Sequence, residues 1–208
     1  MDKEFYYKRL YPFQEAVLRC INRLQTGFYL SGGTAASRVY LGHRFSDDLD
    51  LFVNDRSEFA LWVDRVFDAL GRYPEGQLDV LLRENRFARC GLVCEDLTLK
   101  LELINDVPSH IGQIQDHASL GRVDSAENIL ANKITALMDR NEPKDIADVW
   151  GFCVRKGLSI RQALEDVGSR AAGIFPLDVA RALYQETKKT FGGLNGLRLR
   201  LWPDLYQK

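Results

Sequence analysis

The segments Ser31-Gly32-Gly33-Thr34 and Asp48-Leu49-Asp50-Leu51-Phe52 decide how this chain folds and what chemistry it can support. Two glycines follow the short apolar run Phe28-Tyr29-Leu30, which predicts a strand that ends in a tight turn before a helix. In the second segment acidic and apolar residues alternate. Because successive side chains of a strand point to opposite faces, Asp48 and Asp50 are expected on the same face.

Two carboxylates held that close together repel each other unless a positive charge lies between them. A divalent cation is the simplest candidate, and oxygen-only ligands favour Mg²⁺ or Mn²⁺. Glu102 lies on a further alternating strand and offers a third carboxylate. Three acids on one sheet face would hold two metal ions for phosphoryl or nucleotidyl transfer. The alternative, an ion pair of Glu102 with Lys100 or with a neighbouring strand at the surface, stays open.

The glycine turn predicts a site for phosphate groups. Free N–H groups at the start of the helix that follows Gly32 and Gly33 attract anions, and glycine lets the backbone approach a ligand closely. The turn is not a Walker loop, since no Gly-Lys-Ser/Thr follows, and it lacks the three-glycine spacing of dinucleotide-binding folds. A plain turn remains the alternative.

Lys133 falls within the apolar stripe of a helix predicted over residues 125–140. Its ammonium group either reaches out to solvent or faces a buried anion such as a triphosphate. Arg140 lies seven residues further on, near the same face, and could add a second positive charge.

A second helix is predicted from Glu142-Pro143, because proline is favoured in a first turn. Asp145 complements the helix dipole there, and Asp148 lies on the same side three residues later. Capping explains Asp145 but not the whole cluster of Lys144, Asp145 and Asp148. We expect this cluster to orient Lys133 or Arg140 by ion pairing.

Composition places the 208-residue chain among folded soluble proteins, with 46% hydrophobic and 27% charged residues. A net charge of -1 predicts no strong attraction of the whole molecule to nucleic acid or anionic membranes. No apolar run approaches the ~20 residues of a membrane span, and the charged start is unlike a signal peptide. The four cysteines lack a zinc-site spacing, which favours reduced thiols and a cytoplasmic location.

The pattern along the chain predicts a mixed α/β (α+β) half followed by a helical half. We place the two domains at residues 1–112 and 113–208.

Near the end Lys188, Lys189, Arg198 and Arg200 form a basic stretch, either a nucleic-acid contact or a solvated tail. Strands are predicted over 28–30, 48–53, 78–82, 86–94 and 97–104, and helices over 10–25, 34–41, 58–70, 125–140, 144–156, 160–168 and 177–189.

Four segments between residues 28 and 150 together resemble the AbiEii/AbiGii nucleotidyltransferase toxin family, a bacterial abortive-infection and toxin–antitoxin group. The segments are Leu30-Ser31-Gly32-Gly33-Thr34-Ala35, Leu41-Gly42-His43-Arg44-Phe45-Ser46-Asp47-Asp48-Leu49-Asp50-Leu51-Phe52, Ile129-Leu130-Ala131-Asn132-Lys133-Ile134 and Lys144-Asp145-Ile146-Ala147-Asp148.

The resemblance implies a polymerase β-like nucleotidyltransferase sheet with flanking helices and a C-terminal helical bundle that completes the active site. It further implies Mg²⁺-dependent transfer of an NMP from an NTP to a hydroxyl group of RNA or tRNA, and a cognate antitoxin as a partner. Two positions depart from the family pattern, since Glu102 replaces the usual third aspartate and Lys144 an arginine. Both replacements keep the charge.

By position, the resemblance assigns the site residues their roles. The glycine segment and its neighbours would cradle the nucleotide phosphates, the acidic residues would bind Mg²⁺, and Lys133 would contact the triphosphate. The expected nucleotide-binding residues are Ser31, Gly32, Gly33, Thr34, Arg140, Lys144, Asp145 and Asp148, and the expected metal ligands are Asp48, Asp50 and Glu102.

Two other functions stay open at this point. One is a nucleotidyltransferase for a small molecule such as an aminoglycoside, which an acidic cleft would favour, whereas a basic groove would favour RNA. The other is a non-catalytic module that binds nucleotides or RNA, for which Asp48 and Asp50 would have no evident use.

Overall fold

A seven-stranded mixed sheet forms the centre of the computed structural model, which describes residues 3–140, 142–168 and 177–184. The strands are β1 Tyr29–Leu30, β2 Leu49–Asn54, β3 Gly76–Arg83, β4 Phe87–Cys94, β5 Leu97–Asp106, β6 Gln115–His117 and β7 Gly121–Val123. They follow the order β3-β4-β5-β2-β1-β7-β6 across the sheet. The β2–β5 and β1–β7 pairs are parallel and the other pairs antiparallel, which confirms the predicted mixed α/β class.

Helices flank this sheet and follow it in the chain. They are α1 Tyr11–Asn22, α2 Gly32–Ala35, α3 Phe59–Leu70, α4 Ala126–Asp139, α5 Pro143–Trp150, α6 Ile160–Gly168 and α7 177–184. The segments Tyr6–Leu10, Ala36–Leu41 and Gly151–Arg155 add π-helical turns before α1 and after α2 and α5. Among the described residues, none of the helices combines the length and the apolar character that crossing a membrane requires.

The alternating pattern of β2 and β5 builds the core as predicted. Leu49 and Leu51 of β2 pair in register with Leu101 and Leu103 of β5, and all four side chains are buried. Burying one such side chain stabilises the fold by ~2 kcal/mol. The opposite face of the same two strands is thereby turned away from the core, toward the space where the polar residues of both strands meet.

Local turn chemistry also follows the prediction. Gly42 ends the helical segment after α2 in the left-handed region, at φ +59°. Glu95 adopts φ +55° in the two-residue turn between β4 and β5, so these strands form the expected antiparallel pair. In both places a left-handed residue lets the chain change direction within a few residues.

The prediction of helices alone after about residue 107 misses β6 and β7, which extend the sheet beside β1. Each strand has only three residues, too few to show an alternating pattern. The sheet therefore continues past residue 112, although the division of the chain into two domains at that residue stays a prediction. The basic stretch from Lys188 to Arg200 and the end of the helix predicted over 177–189 lie outside the described residues.

Candidate functional site

A cavity of about 330 Å³ lies between the polar face of the sheet and the helices that follow it. Acidic side chains of the β2 and β5 region form its floor, and basic side chains from α4, α5 and the loop before β2 form most of its wall. Its volume is in the range of sites for small molecules. The charged side chains that line it are Asp48, Asp50, Glu102, Asp139, Arg44, Lys100, Lys133, Arg140 and Lys144.

The glycine turn contributes to this cavity through the absence of side chains. Gly32 begins α2 at φ +62°, and a Cβ atom there would lie 2.1 Å from Oδ2 of Asp50. A Cβ atom on Gly33 would lie 2.6 Å from Nη2 of Arg44. Gly32 is thus required by both its φ and its contact with Asp50, whereas a side chain on Gly33 would have to displace the guanidinium of Arg44.

The residues on either side of the glycines hold the turn in place. The amide of Ser31 donates to the carbonyl of Asp50 at 2.9 Å, and its hydroxyl donates to the carboxylate of Asp124 at 2.5 Å. The buried hydroxyl of Thr34 donates to the carbonyl of Asp48 at 2.5 Å. Thr34 does not line the cavity. Both side chains therefore fix the relative positions of the turn and β2.

The structure brings the three predicted carboxylates to one face of the sheet. Asp50 lies directly opposite Glu102 in the parallel β2–β5 pair. Glu102 accepts a hydrogen bond from Nε of Arg89 at 2.9 Å, and Nζ of Lys100 lies 3.4 Å from it and 2.7 Å from Asp48. Glu102 therefore lies beside Asp50 and is also ion-paired, with Lys100 of its own strand and with Arg89 of β4. Its role as a third metal ligand stays a prediction.

Asp50 is the least compensated of the three carboxylates. Among the described residues, none forms a hydrogen bond or an ion pair with its side chain. Burial, together with the negative charges of Glu102 and Asp48, raises the pKa of Asp50 from 3.8 to about 6. The site therefore has a deficit of positive charge at the point where the turn touches β2.

These residues fit a divalent cation in the chemistry of their donors. Three carboxylates supply oxygen ligands of the type that Mg²⁺ and Mn²⁺ prefer, and a cation would relieve the charge deficit at Asp50. The geometry is not that of a preformed site: within the part of the chain that the structure describes, no three His, Cys, Asp or Glu side chains are grouped for metal binding. The ammonium of Lys100 lies between Asp48 and Glu102, and Arg89 is ion-paired with Glu102. Metal binding thus stays a prediction.

Lys133 faces buried carboxylates and does not reach solvent, so the solvent-exposed alternative is wrong, while its contact with a triphosphate stays a prediction. Its side chain is 6% exposed, and Nζ lies 2.8 Å from Oδ1 of Asp145 and 2.7 Å from Oδ2 of Asp148. Arg140 also bonds Asp145, through Nε at 2.8 Å. The two aspartates are fully buried and hold these cations at the wall of the cavity without lining it themselves.

Arg44 and His43 are not among the predicted site residues, although both lie in a quoted motif. Arg44 forms a bidentate pair with Asp148, from Nε and Nη2 at 2.8 Å each, and Nε2 of His43 lies 2.8 Å from the same carboxylate. Burial alone would raise the pKa of Asp148, but these bonds and the charge of Lys133 hold it well below its usual range. The contacts join residues more than 100 positions apart, so no local pattern indicates them.

The wall of the cavity carries a surplus of positive charge. Two aspartates face three cations, Arg44, Lys133 and Arg140. Lys144 lines the cavity as well, and its ammonium lies 2.8 Å from the carboxylate of Glu142. This is the lysine that stands where the family pattern has an arginine. A surplus of guanidinium and ammonium groups opposite a carboxylate floor is an arrangement that can bind a phosphate chain and a cation side by side.

Comparison with protein families agrees with this geometry. Residues 17–190 match the family model described as nucleotidyl transferase AbiEii toxin, type IV TA system. The match covers most of the chain and includes every residue of the cavity named above. No curated protein matches the sequence significantly.

Three of the solved structures that match this chain are the following. JHP933 from Helicobacter pylori matches with a TM-score of 0.55 and 20% identity, over 88% of this chain and 92% of that chain. A candidate nucleotidyltransferase from H. pylori matches with a TM-score of 0.56 and 20% identity, over 90% and 84%. The toxin MenT4 of Mycobacterium tuberculosis H37Rv, a nucleotidyltransferase, has a TM-score of 0.45 and 18% identity, over 85% and 81%. At such identities the first two similarities concern the fold alone.

Proposed function

This chain belongs to the AbiEii nucleotidyltransferase toxin family of type IV toxin–antitoxin systems, and on that premise we propose that it transfers a nucleoside monophosphate from an NTP to a hydroxyl group of RNA. Membership of the family implies an NTP substrate and a cognate antitoxin. The acceptor, the divalent cation and the roles of individual residues belong to the proposal. The observation that carries it is the division of the cavity into a carboxylate floor and a cationic wall.

The floor holds the divalent cation in this proposal. Asp48 and Asp50 are its ligands, and Glu102 completes the set or accepts the proton of the attacking hydroxyl. A Mg²⁺ or Mn²⁺ ion bound there would supply a Lewis acid for the phosphate oxygens. The raised pKa of Asp50 supports this assignment, because an uncompensated carboxylate gains most from a cation.

The wall and the glycine turn orient the triphosphate. Gly32 and Gly33 allow the phosphates to approach the start of α2, while Arg44, Lys133 and Arg140 present positive charge to them. Asp145 and Asp148 act through these cations by fixing their positions. Positioning of this kind, with the acceptor hydroxyl in line with the α-phosphate, accounts for a large part of the rate of phosphoryl-type transfers.

RNA, with tRNA as the first candidate, is the acceptor we propose. A small cationic acceptor such as an aminoglycoside would need an acidic opening, whereas the cavity carries basic residues on its wall as well as acids on its floor. Charge alone does not separate the two acceptors, so the choice rests on the toxin family to which the chain belongs.

The test is incubation of the purified protein with each α-³²P-labelled NTP, Mg²⁺ and total RNA. Asp48→Asn removes one proposed ligand with little change of shape. Asp47→Asn is the matched control, because Asp47 is the adjacent aspartate and lies exposed outside the cavity.

Label on a discrete RNA band, lost in Asp48→Asn and kept in Asp47→Asn, is the expected result. It would identify the nucleotide and the acceptor class together. Labelling that survives in Asp48→Asn would remove the metal-ligand assignment. If an added aminoglycoside is labelled and RNA is not, the acceptor is a small molecule and the proposal of an RNA acceptor is wrong.

A further inference from the structure

Lys100 occupies the position between the two outer carboxylates of the floor. Its ammonium lies 2.7 Å from Oδ2 of Asp48 and 3.4 Å from Oε1 of Glu102. The side chain is 40% exposed, so solvent is available to it as an alternative. Lys100 thus contributes a single positive charge at the place where the proposed divalent cation would need its ligands.

Unfilled space lies on the opposite side of Lys100, over Gly91. Gly91 on β4 lies directly across from Lys100 in the antiparallel β4–β5 pair, so both face the same side of the sheet. A Cβ atom added to Gly91 would meet no atom within 4 Å. The neighbouring positions on that face of β4 carry the side chains of Arg89 and Val93. A gap that accommodates at least a Cβ atom therefore lies beside Lys100, on the side away from Asp48.

We propose that Lys100 is a placeholder cation, which neutralises Asp48 and Glu102 before a divalent ion binds and swings over Gly91 when the ion arrives. The inference deepens the proposed function and rests on its metal site. Lys100 is a positioning residue in this account, since it acts on the carboxylates and takes no part in the transfer itself.

The charges of the floor support the exchange. Three carboxylates face two cations, Lys100 and Arg89, which leaves one negative charge uncompensated. When a divalent ion takes the place of the ammonium, the floor with Arg89 becomes neutral. Because an ion pair has to break first, Lys100 lowers the affinity of the free site for the metal, and it keeps the carboxylates from repelling each other in the meantime.

Two substitutions with opposite expected effects test this inference. Lys100→Gln removes the competing charge, and we expect the Kd for Mn²⁺ alone to fall by roughly tenfold. Gly91→Val fills the gap and holds Lys100 over the carboxylates, so the Kd should rise by roughly tenfold, by the same electrostatic competition. In the double variant the valine has no lysine to block, so the affinity should equal that of Lys100→Gln.

Free Mn²⁺ is measured by electron paramagnetic resonance during titration of each protein, without nucleotide or RNA. Lys8→Gln is the charge control, because Lys8 lies in the segment Tyr6–Leu10 and pairs with Glu4 outside the cavity. Its Mn²⁺ affinity should equal that of the unaltered protein.

The outcomes separate the inference from the function on which it rests. If the unaltered protein binds Mn²⁺ as tightly as Lys100→Gln or more tightly, the placeholder role is overturned and the metal site is left intact. Weaker binding by both the single Gly91→Val variant and the double variant would also overturn it, because the valine would then act on the metal directly. Absence of Mn²⁺ binding in all the proteins would overturn the metal site and the placeholder together.

Discussion

Gly32 and Asp50 approach each other so closely that a Cβ atom on Gly32 would lie 2.1 Å from Oδ2 of Asp50 and 2.8 Å from its Cγ. The contact joins the two segments from which the function of the chain can be interpreted, the glycine turn and the acidic strand. It also keeps the carboxylate of Asp50 against backbone that offers it no hydrogen bond, which contributes to the raised pKa of that group.

Gly32→Ala is therefore expected to abolish nucleotidyl transfer. The methyl group would displace the carboxylate of Asp50 or the turn, and misplacement of reacting groups by about 1 Å can cost ~100-fold in rate. Gly42→Ala is the matched control, since Gly42 has a similar φ of +59° but open space around its Cβ position. It should cost only the ~1 kcal/mol of left-handed strain. Equal losses of activity in the two variants would mean that backbone strain, and not the contact with Asp50, is responsible.

Asp50→Asn should stabilise the protein above pH 6 while it removes activity. The pKa of Asp50 is about 6 in the folded protein and 3.8 in the unfolded chain, so the folded state binds its proton more tightly. Stability contributed by this group is thus present below pH 3.8 and is lost as the pH rises to 6. The difference between the two pKa values corresponds to at most ~3 kcal/mol of unfolding free energy.

Urea denaturation of both proteins below pH 3.8 and above pH 6 measures this effect. The gain in Asp50→Asn should be present only at the higher pH. Addition of Mg²⁺ there should stabilise the unaltered protein and leave Asp50→Asn unchanged. A pH-independent difference between the two proteins would show that Asp50 titrates normally.

The sequence predicts those parts of the molecule that local patterns determine. Alternation places Asp48 and Asp50 on one face of β2, and a helical stripe places Lys133 on the buried side of α4. The cluster of Asp145 and Asp148 is expected from the sequence to orient Lys133 or Arg140 by ion pairing, and it orients both. In each case the relevant residues lie within a few turns or one strand of one another.

The features of the fold and of the site that the sequence does not predict depend on contacts between segments that are distant in the chain. Arg44 and Asp148 are 104 positions apart, and neither has a neighbour in sequence that indicates the pair. The three-residue strand β7 pairs with the edge of β1, and β6 pairs with β7, whereas three residues are too few for their own sequence to indicate a strand. Asp124, which accepts the hydroxyl hydrogen of Ser31, has no apparent partner in the sequence for the same reason.

Asp148→Asn should make the protein less stable at neutral pH and less sensitive to acid. Burial raises the pKa of Asp148, but Arg44, His43 and Lys133 lower it further than burial raises it. The stability contributed by the carboxylate is therefore fully present above its unfolded pKa of 3.8 and is lost as the pH falls below that value.

Thermal unfolding across the acid range measures this dependence. The Tm of Asp148→Asn should be lower than that of the unaltered protein at neutral pH, and the gap should narrow below pH 3.8. Asp116→Asn, which removes an exposed carboxylate on β6, is the control for the change in net charge. A gap of constant size over the whole range would contradict the prediction.

Lys133 and Arg140 both bond Asp145, but they differ in burial, and that difference predicts different costs of removal. Lys133 is 6% exposed and bridges two buried carboxylates, whereas the side chain of Arg140 is 47% exposed and contacts one of them. Lys133→Met keeps the unbranched apolar part of the side chain but leaves buried negative charge without its cation, which should cost about 3 kcal/mol of unfolding free energy. Arg140→Gln should cost about 1 kcal/mol or less, because water screens the remaining charge.

Chemical denaturation of the two variants, and of Lys133→Met combined with Asp148→Asn, measures these costs. If the bridge between the two aspartates is the cause, Lys133→Met should cost less in the Asp148→Asn background than alone, because less buried negative charge is then left without a cation. Equal costs in both backgrounds would show that Lys133 stabilises the protein through its apolar packing in α4 and not through the two aspartates.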